Sequence, residues 1–414
     1  MRRIALAAVA VLACCAPSAA QRSRPTQVPP RPALWAQADT NNAGAYYQHG
    51  VSKLESSPSE AADAFYWAAR LRPGWAEPLY GRRVALLMSD PRRLIGYMNG
   101  DRSVVRSPEV AAIDSLQLRA LMLNPFLAQR FDRPLLRQFI TKAVEEDMRR
   151  NNEAPNSALA AHVASSWLLT ASPYMKAWFA YSEGRYPQAI TEYERALGRA
   201  RPRERARLRT DLGRIHFFSG NLDRAVEHFT AATTEERKED SRDLVYVYES
   251  KALLEHSLGA VLQQKGDTAA AREAYGRALQ EDLSFYPAHI ALSSMSMAAG
   301  DTARALSSMD LAVELSPDNA ALHYDYALLL IRARKVDQAV TELKKATELE
   351  PMYAAPLLIL GHVTDRAGPG FEQAALDYFR AYLARAARDD AGRASAEARV
   401  AALEAQLKAA PVQP

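Results

Sequence analysis

The chain has 414 residues, 48% of them hydrophobic and 8% aromatic, and only two cysteines. That balance excludes collagen-like, disulfide-rich and globally disordered classes. Lysine plus arginine number 52 against 48 aspartate plus glutamate, and a formal charge of +4 gives no electrostatic footprint for nucleic acid.

Met1, Arg2 and Arg3 make a basic start to an apolar run over residues 4–13, and Ser18, Ala19 and Ala20 offer small residues for cleavage before Gln21. The pattern predicts an export signal over residues 1–20. The run is far shorter than the roughly 20 residues that span a bilayer, and no comparable run follows, so no transmembrane span is expected. Cys14 and Cys15 both lie inside the signal, so cleavage after Ala20 leaves no thiol. It also removes Arg2 and Arg3, taking the charge from +4 to +2. A second reading keeps Cys14: Val11, Leu12 and Ala13 before it resemble the lipobox of bacterial lipoproteins, which would make Cys14 a lipid anchor at the outer membrane. Either reading places the chain outside the cytoplasm, in the periplasm or beyond. Residues 21–42, with Pro25, Pro29, Pro30 and Pro32, read as a Pro-rich disordered linker.

From about residue 170 onward, apolar residues recur at helical spacing and turn signals interrupt them, which predicts helical hairpins. Gly184, Gly220, Gly266 and Gly300 are each followed five residues later by alanine, at Ala189, Ala225, Ala271 and Ala305. A fifth copy keeps Ala339 but has Arg334 at the turn. Seven residues further stand Ala196, Ala232, Ala278, Ala312 and Ala346, so all ten positions are alanine. Between these columns lies a bulky one: Tyr193, Phe229, Tyr275, Met309 and Leu343. A small column, Ala177, Gly213, Gly259, Ser293 and Ala327, falls on the first helix of each hairpin. Small residues let paired helices approach closely, and the bulky residues fill the grooves between neighbouring hairpins. Pro317 and Pro351 end second helices, and the turn glycines can take the left-handed conformation.

These columns resemble the tetratricopeptide repeat. Copies beginning near Ala252, Tyr286, Ala320 and Ala354 keep the family's 34-residue step, with Leu283 standing where the first would close on proline. Copies near Thr170 and Ala206 are followed by offsets of 36 and 46 residues, and the last copy needs one inserted residue near Gly368, Pro369 and Gly370. The resemblance covers about six repeats over residues 170–385. A weaker one covers residues 43–90, through Tyr46, Gly50, Phe65, Ala68 and Pro73. It implies an all-α solenoid of helical hairpins wound as a right-handed superhelix. Residues 386–414 read as a capping helix and tail, with Val400, Leu403 and Leu407 on one face. Residues 91–169 lose the period and read as an irregular helical region. There, degenerate repeats and a partner-specific insertion both remain open, the latter on the cluster Phe126, Arg130, Phe131 and Arg133.

A search for chemistry finds no His-Glu-x-x-His pair, phosphate loop, Gly-x-Ser-x-Gly elbow or Cys-x-x-Cys pair. His289 and His323 are 34 residues apart and fill one structural column, and no Asp or Cys repeats with them at ligand spacing. No catalytic residue, metal or cofactor is expected, and the chain reads as a non-enzyme.

The resemblance implies a binding surface on the first helices, which line the concave face in that family. Its surface positions fall on Tyr174, Trp178 and Tyr181 in one repeat and on Arg207, Arg214, Phe217 and Phe218 in the next. Trp, Tyr and Arg are the residue types that most often dominate binding energy. The Lys and Asn partners of the family's carboxylate clamp are missing. The expected function is a protein-protein interaction scaffold or adaptor of the bacterial cell envelope, with protein partners. The alternative is an accessory of polysaccharide secretion or glycan binding, with the same rings stacking on sugars.

Overall fold

The structure is a computed structural model that describes residues 28–409 except 129, 170–171 and 239–249. The fold belongs to the unit formed by residues 31–414. Regular structure among the described residues is helical, and the expected signal over residues 1–20, with Cys14, lies outside them.

Helices α1 (Ala43–Lys53) and α2 (Pro58–Leu71) form the first hairpin, and α3 (Ala76–Met88) packs on α2. Helices α4 (Pro91–Met98) and α5 (Arg102–Val105) then intervene, and α3 packs also on α6 (Pro108–Leu123). Helices α7 (Asp132–Arg150) and α8 (Ser157–Leu169) pair with each other, and α7 also touches α3, α4 and α9. The periodic array follows as six hairpins: α9 (Pro173–Ser182) with α10 (Tyr186–Leu197), α11 (Pro202–Phe218) with α12 (Leu222–Lys238), and α13 (Lys251–Lys265) with α14 (Thr268–Glu281). Then come α15 (Tyr286–Ala298) with α16 (Thr302–Leu315), α17 (Ala320–Arg332) with α18 (Val336–Leu349), and α19 (Ala355–Asp365) with α20 (Glu372–Arg385). Helix α21 (Arg393–Ala409) lies on α20, burying Ala396 and Leu403, with Val400 and Leu407 packed beside them.

The size columns explain the pairing. A Cβ on Gly213 would stand 2.8 Å from the Phe229 ring, and one on Gly259 would stand 2.7 Å from Tyr275. In these two hairpins the bulky ring of the second helix therefore rests on the bare backbone of its own first helix. Phe65 does this twice, sitting 2.9 Å from a Cβ position on Gly50 and 2.8 Å from one on Gly81 of the next hairpin. Where serine replaces glycine, its hydroxyl is used: Ser293 Oγ donates to the Ala305 carbonyl at 2.6 Å. The turns close as their residues dictate. Gly184, Gly220, Gly266 and Gly300 have φ between 74° and 90°, a region open to glycine without steric cost. Asp267 and Asp301 then accept from the first free backbone N–H groups of α14 and α16.

The two ends of this unit meet. Arg70 on α2 donates from Nε to both Glu350 oxygens at 2.8 Å, across 280 positions of sequence. Asn41 donates to the Ala384 carbonyl, Asn42 to the Asp389 carboxylate, and the Arg388 backbone N–H to Asp39. Tyr46, Ala68 and Leu71 pack with Met352 and Leu34, and Arg31 lies over the Trp67 ring. Residues 31–42, read as linker from sequence, are thus tied into this contact by Arg31, Leu34, Asp39, Asn41 and Asn42.

Candidate functional site

Connections usually run over the surface, because buried backbone polar groups need partners. The one between α6 and α7 goes inside. Phe126, Leu127 and Phe131 are 6%, 1% and 6% exposed, and Pro125 is buried with them. The connection turns locally on Asn124, whose side chain accepts from the Phe126 N–H at 3.0 Å and whose carbonyl accepts from the Leu127 N–H at 3.1 Å.

Its partners are the first helices of the array. The Phe126 ring stacks on Phe217 of α11, centroids 3.8 Å apart and planes 9° from parallel. Phe126 also meets Phe229 edge-on and joins the cluster that includes Leu258, Val261 and Leu262 of α13. Arg214 Nε donates to the Pro125 carbonyl at 3.1 Å, while its Nη1 reaches Asp211 at 3.5 Å. Its Nη2 is buried without a partner, as is the Tyr181 hydroxyl nearby. At the far end, Phe131 stacks on Tyr80. Asp132 accepts from the Tyr80 hydroxyl and from Trp178 Nε1, the latter at 3.1 Å. Burial pushes the Asp132 carboxyl up to about 6, against the pull of Tyr80, Arg83, Trp178 and Arg207. Arg133 lies over the Phe179 ring and pairs with Glu183.

The six residues expected to face an open groove are therefore arranged differently. Tyr181 is 2% exposed and packs among residues of α9, α10 and α11, and Arg214 is 6% exposed and bonded to Pro125. Phe217 and Trp178 are half-buried, engaged by Phe126 and Asp132. Tyr174 stacks beside Trp178, and Arg207, which is exposed, lies over the Tyr174 ring at 5.4 Å. The structure brings all six to α9 and α11, and the chain itself covers four of them. Of the insertion candidates, Phe126, Phe131 and Arg133 make this cover. Sequence reading passes over Asp132, because a lone Asp carries no periodic signal, and takes Tyr80 only as part of Leu79-Tyr80-Gly81, a candidate start of a further repeat.

Beside the cover, a cavity of about 280 Å³ remains between the N-terminal hairpins and α10 and α11. Tyr47, Trp75, Tyr80, Phe131, Tyr186 and Phe218 supply its rings, and Glu77, Asn124 and Arg130 its polar groups. Tyr47 and Trp75 lie 4.7 Å apart on one wall, and Tyr186 and Phe218 stack at 5.8 Å.

The histidine column has a structural role. His289 and His323 each turn Nε2 to the carbonyl six residues upstream, Leu283 and Pro317, and His323 Nδ1 meets Glu342 at 2.5 Å. Among the described residues no group of three or more His, Cys, Asp or Glu is placed to hold a metal, and no helix is long and apolar enough to cross a membrane.

Two family models, both described as tetratricopeptide repeat, match residues 174–241 and 257–320, and 296–358. The chain is a tetratricopeptide repeat protein. Its matched repeats hold α9, α11, α13, α15 and α17, the first helices of five of the hairpins. Tetratricopeptide repeats form a protein-protein interaction scaffold, and that is the architecture of this chain. Solved structures similar to it include yeast Tom70, at 14% identity over 89% of this chain and 90% of the other, with a TM-score of 0.45. MamA from Desulfovibrio magneticus RS-1 is 15% identical over 44% of this chain and 94% of its own, with a TM-score of 0.36. The C-terminal part of a TPR repeat-containing protein from Cytophaga hutchinsonii is 15% identical over 56% of this chain and 95% of that part, with a TM-score of 0.42. No curated protein sequence matches this tetratricopeptide chain.

Proposed function

We propose that the protein is an exported, non-enzymatic adaptor of the bacterial cell envelope that takes a segment of a partner protein on the first helices of its repeats. The basic and apolar start over residues 1–20 supports the export reading. One observation carries the binding reading: α9 and α11 already hold a stretch of polypeptide through a ring stack, a guanidinium and an indole N–H. These are the group types that dominate binding energy at protein interfaces. Phe218, beside Phe217, and Arg207, which lies over the Tyr174 ring, are exposed at this surface.

Cross-linking and co-purification from the native envelope test this, comparing wild type with Arg207→Glu and Phe218→Ser, with intact-mass analysis of the mature N-terminus. The expected outcome is a defined set of envelope proteins recovered by wild type and lost in both variants. Recovery of none, or recovery indifferent to the variants, would overturn the reading. The mass separates cleavage after Ala20 from lipidation at Cys14. The ring-lined cavity favours glycan binding as a second reading, since planar rings with Glu, Asn and Arg nearby suit a sugar. An oligosaccharide signal abolished by Trp75→Ala, with no protein recovered, would establish it instead.

A further inference from the structure

Arg214 is buried yet only partly used. On a guanidinium, Nε and Nη2 point to the same side and form the fork that a carboxylate accepts with two oxygens. Here Nε meets the single carbonyl oxygen of Pro125 at 3.1 Å, and Nη2 beside it has no partner. Asp211 stands at 3.5 Å from Nη1 and leaves that fork open. A buried donor without an acceptor costs free energy that a better occupant would recover. Three helical positions along, Phe217 offers its ring face, taken by Phe126.

We propose that Arg214 and Phe217 form a docking site for a partner segment in which a carboxylate residue immediately precedes an aromatic one, and that Pro125 and Phe126 are its internal, second-best occupant. The assignment rests on the adaptor reading and names the chemistry of the partner. The carboxylate takes the place of the Pro125 carbonyl and accepts from both Nε and Nη2. The aromatic ring takes the place of Phe126 on Phe217. Displacement requires only Pro125 and Phe126 to move, because Leu127 and Phe131 are anchored in the N-terminal core and Asp132 is held by Tyr80 and Trp178. The internal occupant therefore gates the site: it is covered until a segment of stronger chemistry arrives.

The test uses the full chain and two labelled ten-residue peptides, one copying residues 124–133 and one identical except for Pro125→Asp. Binding is read by fluorescence anisotropy to wild type, Phe126→Ala and Arg214→Gln. The aspartate peptide is expected to bind the Phe126→Ala chain about tenfold more tightly than it binds wild type, and about tenfold more tightly than the copy peptide does. Arg214→Gln is expected to erase the difference between peptides. Equal affinity of the two peptides, or no gain on removing the Phe126 ring, overturns the proposal. Should Phe126→Ala not fold cooperatively, Phe126→Leu removes the stack at smaller volume change and the same comparison decides. Envelope proteins still captured by wild type while the peptides show no difference would overturn this assignment alone. A peptide difference without any capture would instead overturn the envelope reading.

Discussion

His216 of α11 and His228 of α12 stack with centroids 5.2 Å apart and planes 7° from parallel, and none of their four ring nitrogens has a partner. Burial holds both imidazoles below their ordinary value, and the charge of the partner ring helps to take His228 down to about 4. Arg224 and Arg209 push His228 the same way, and Glu227 opposes them, while Glu194 faces His216. The unfolded chain takes up the proton at about 6.5, which the folded chain refuses until about 4. Stability from this pair is therefore full above the unfolded value and is lost as the pH falls between the two. Asp132 works with the opposite sign: raised to about 6, its carboxyl favours the folded state as the pH falls. The useful quantity is thus the difference between variant and parent at each pH. Urea melts of His228→Leu and wild type are expected to diverge in favour of the variant from pH 6.5 down to pH 4. Parallel stabilities over that range would show that the pair carries no such cost.

At the scale of the hairpin, the turn between α17 and α18 departs from its siblings. Arg334 stands where the others have glycine and takes the same left-handed conformation, φ 61°. A side chain there costs about 1 kcal/mol, so Arg334→Gly is expected to raise the stability by up to about 1 kcal/mol, read as a shift in chemical-denaturation midpoint at unchanged slope. The position is legible in the sequence, because the column of turn glycines marks it. The same holds for the alanine columns, of which Ala189, Ala225, Ala271, Ala305 and Ala339 are all wholly buried. Such features are local and repeat, so a sequence displays them. The pairing of α3 with α6 across α4 and α5 was not legible, since it joins helices from an aperiodic stretch. The candidate site was legible by half: family positions located Trp178, Arg214 and Phe217. That Phe126 and Asp132 cover them depends on contacts between residues 46 to 91 positions apart, which no period records.

For the molecule as a whole, the contact between the first hairpin and the last repeats changes how stability is shared. Open repeat arrays are nearly one-dimensional, each repeat resting on its neighbours alone. Arg70 and Glu350 couple positions far apart, at 24% and 13% side-chain exposure with two-oxygen geometry. A double-mutant cycle on Arg70→Ala and Glu350→Ala is expected to give a coupling of about 1–2 kcal/mol, the range for a half-buried charged hydrogen bond. A coupling near zero would show that the ends are held by the apolar contact of Met352 with Tyr46, Ala68 and Leu71 and by the hydrogen bonds of Asp39, Asn41 and Asn42.

That contact also imposes an order in time. A chain is made from its N-terminus, and contacts of long sequence separation close last. Tyr46, Ala68 and Leu71 are finished early, but Met352 and Glu350, which cover them, come about 280 residues later. Until then the first hairpin carries an apolar face that only Leu34 and its own neighbours partly cover. The nascent protein thus has a period, set by its own length, in which its oldest part is the part most in need of a chaperone.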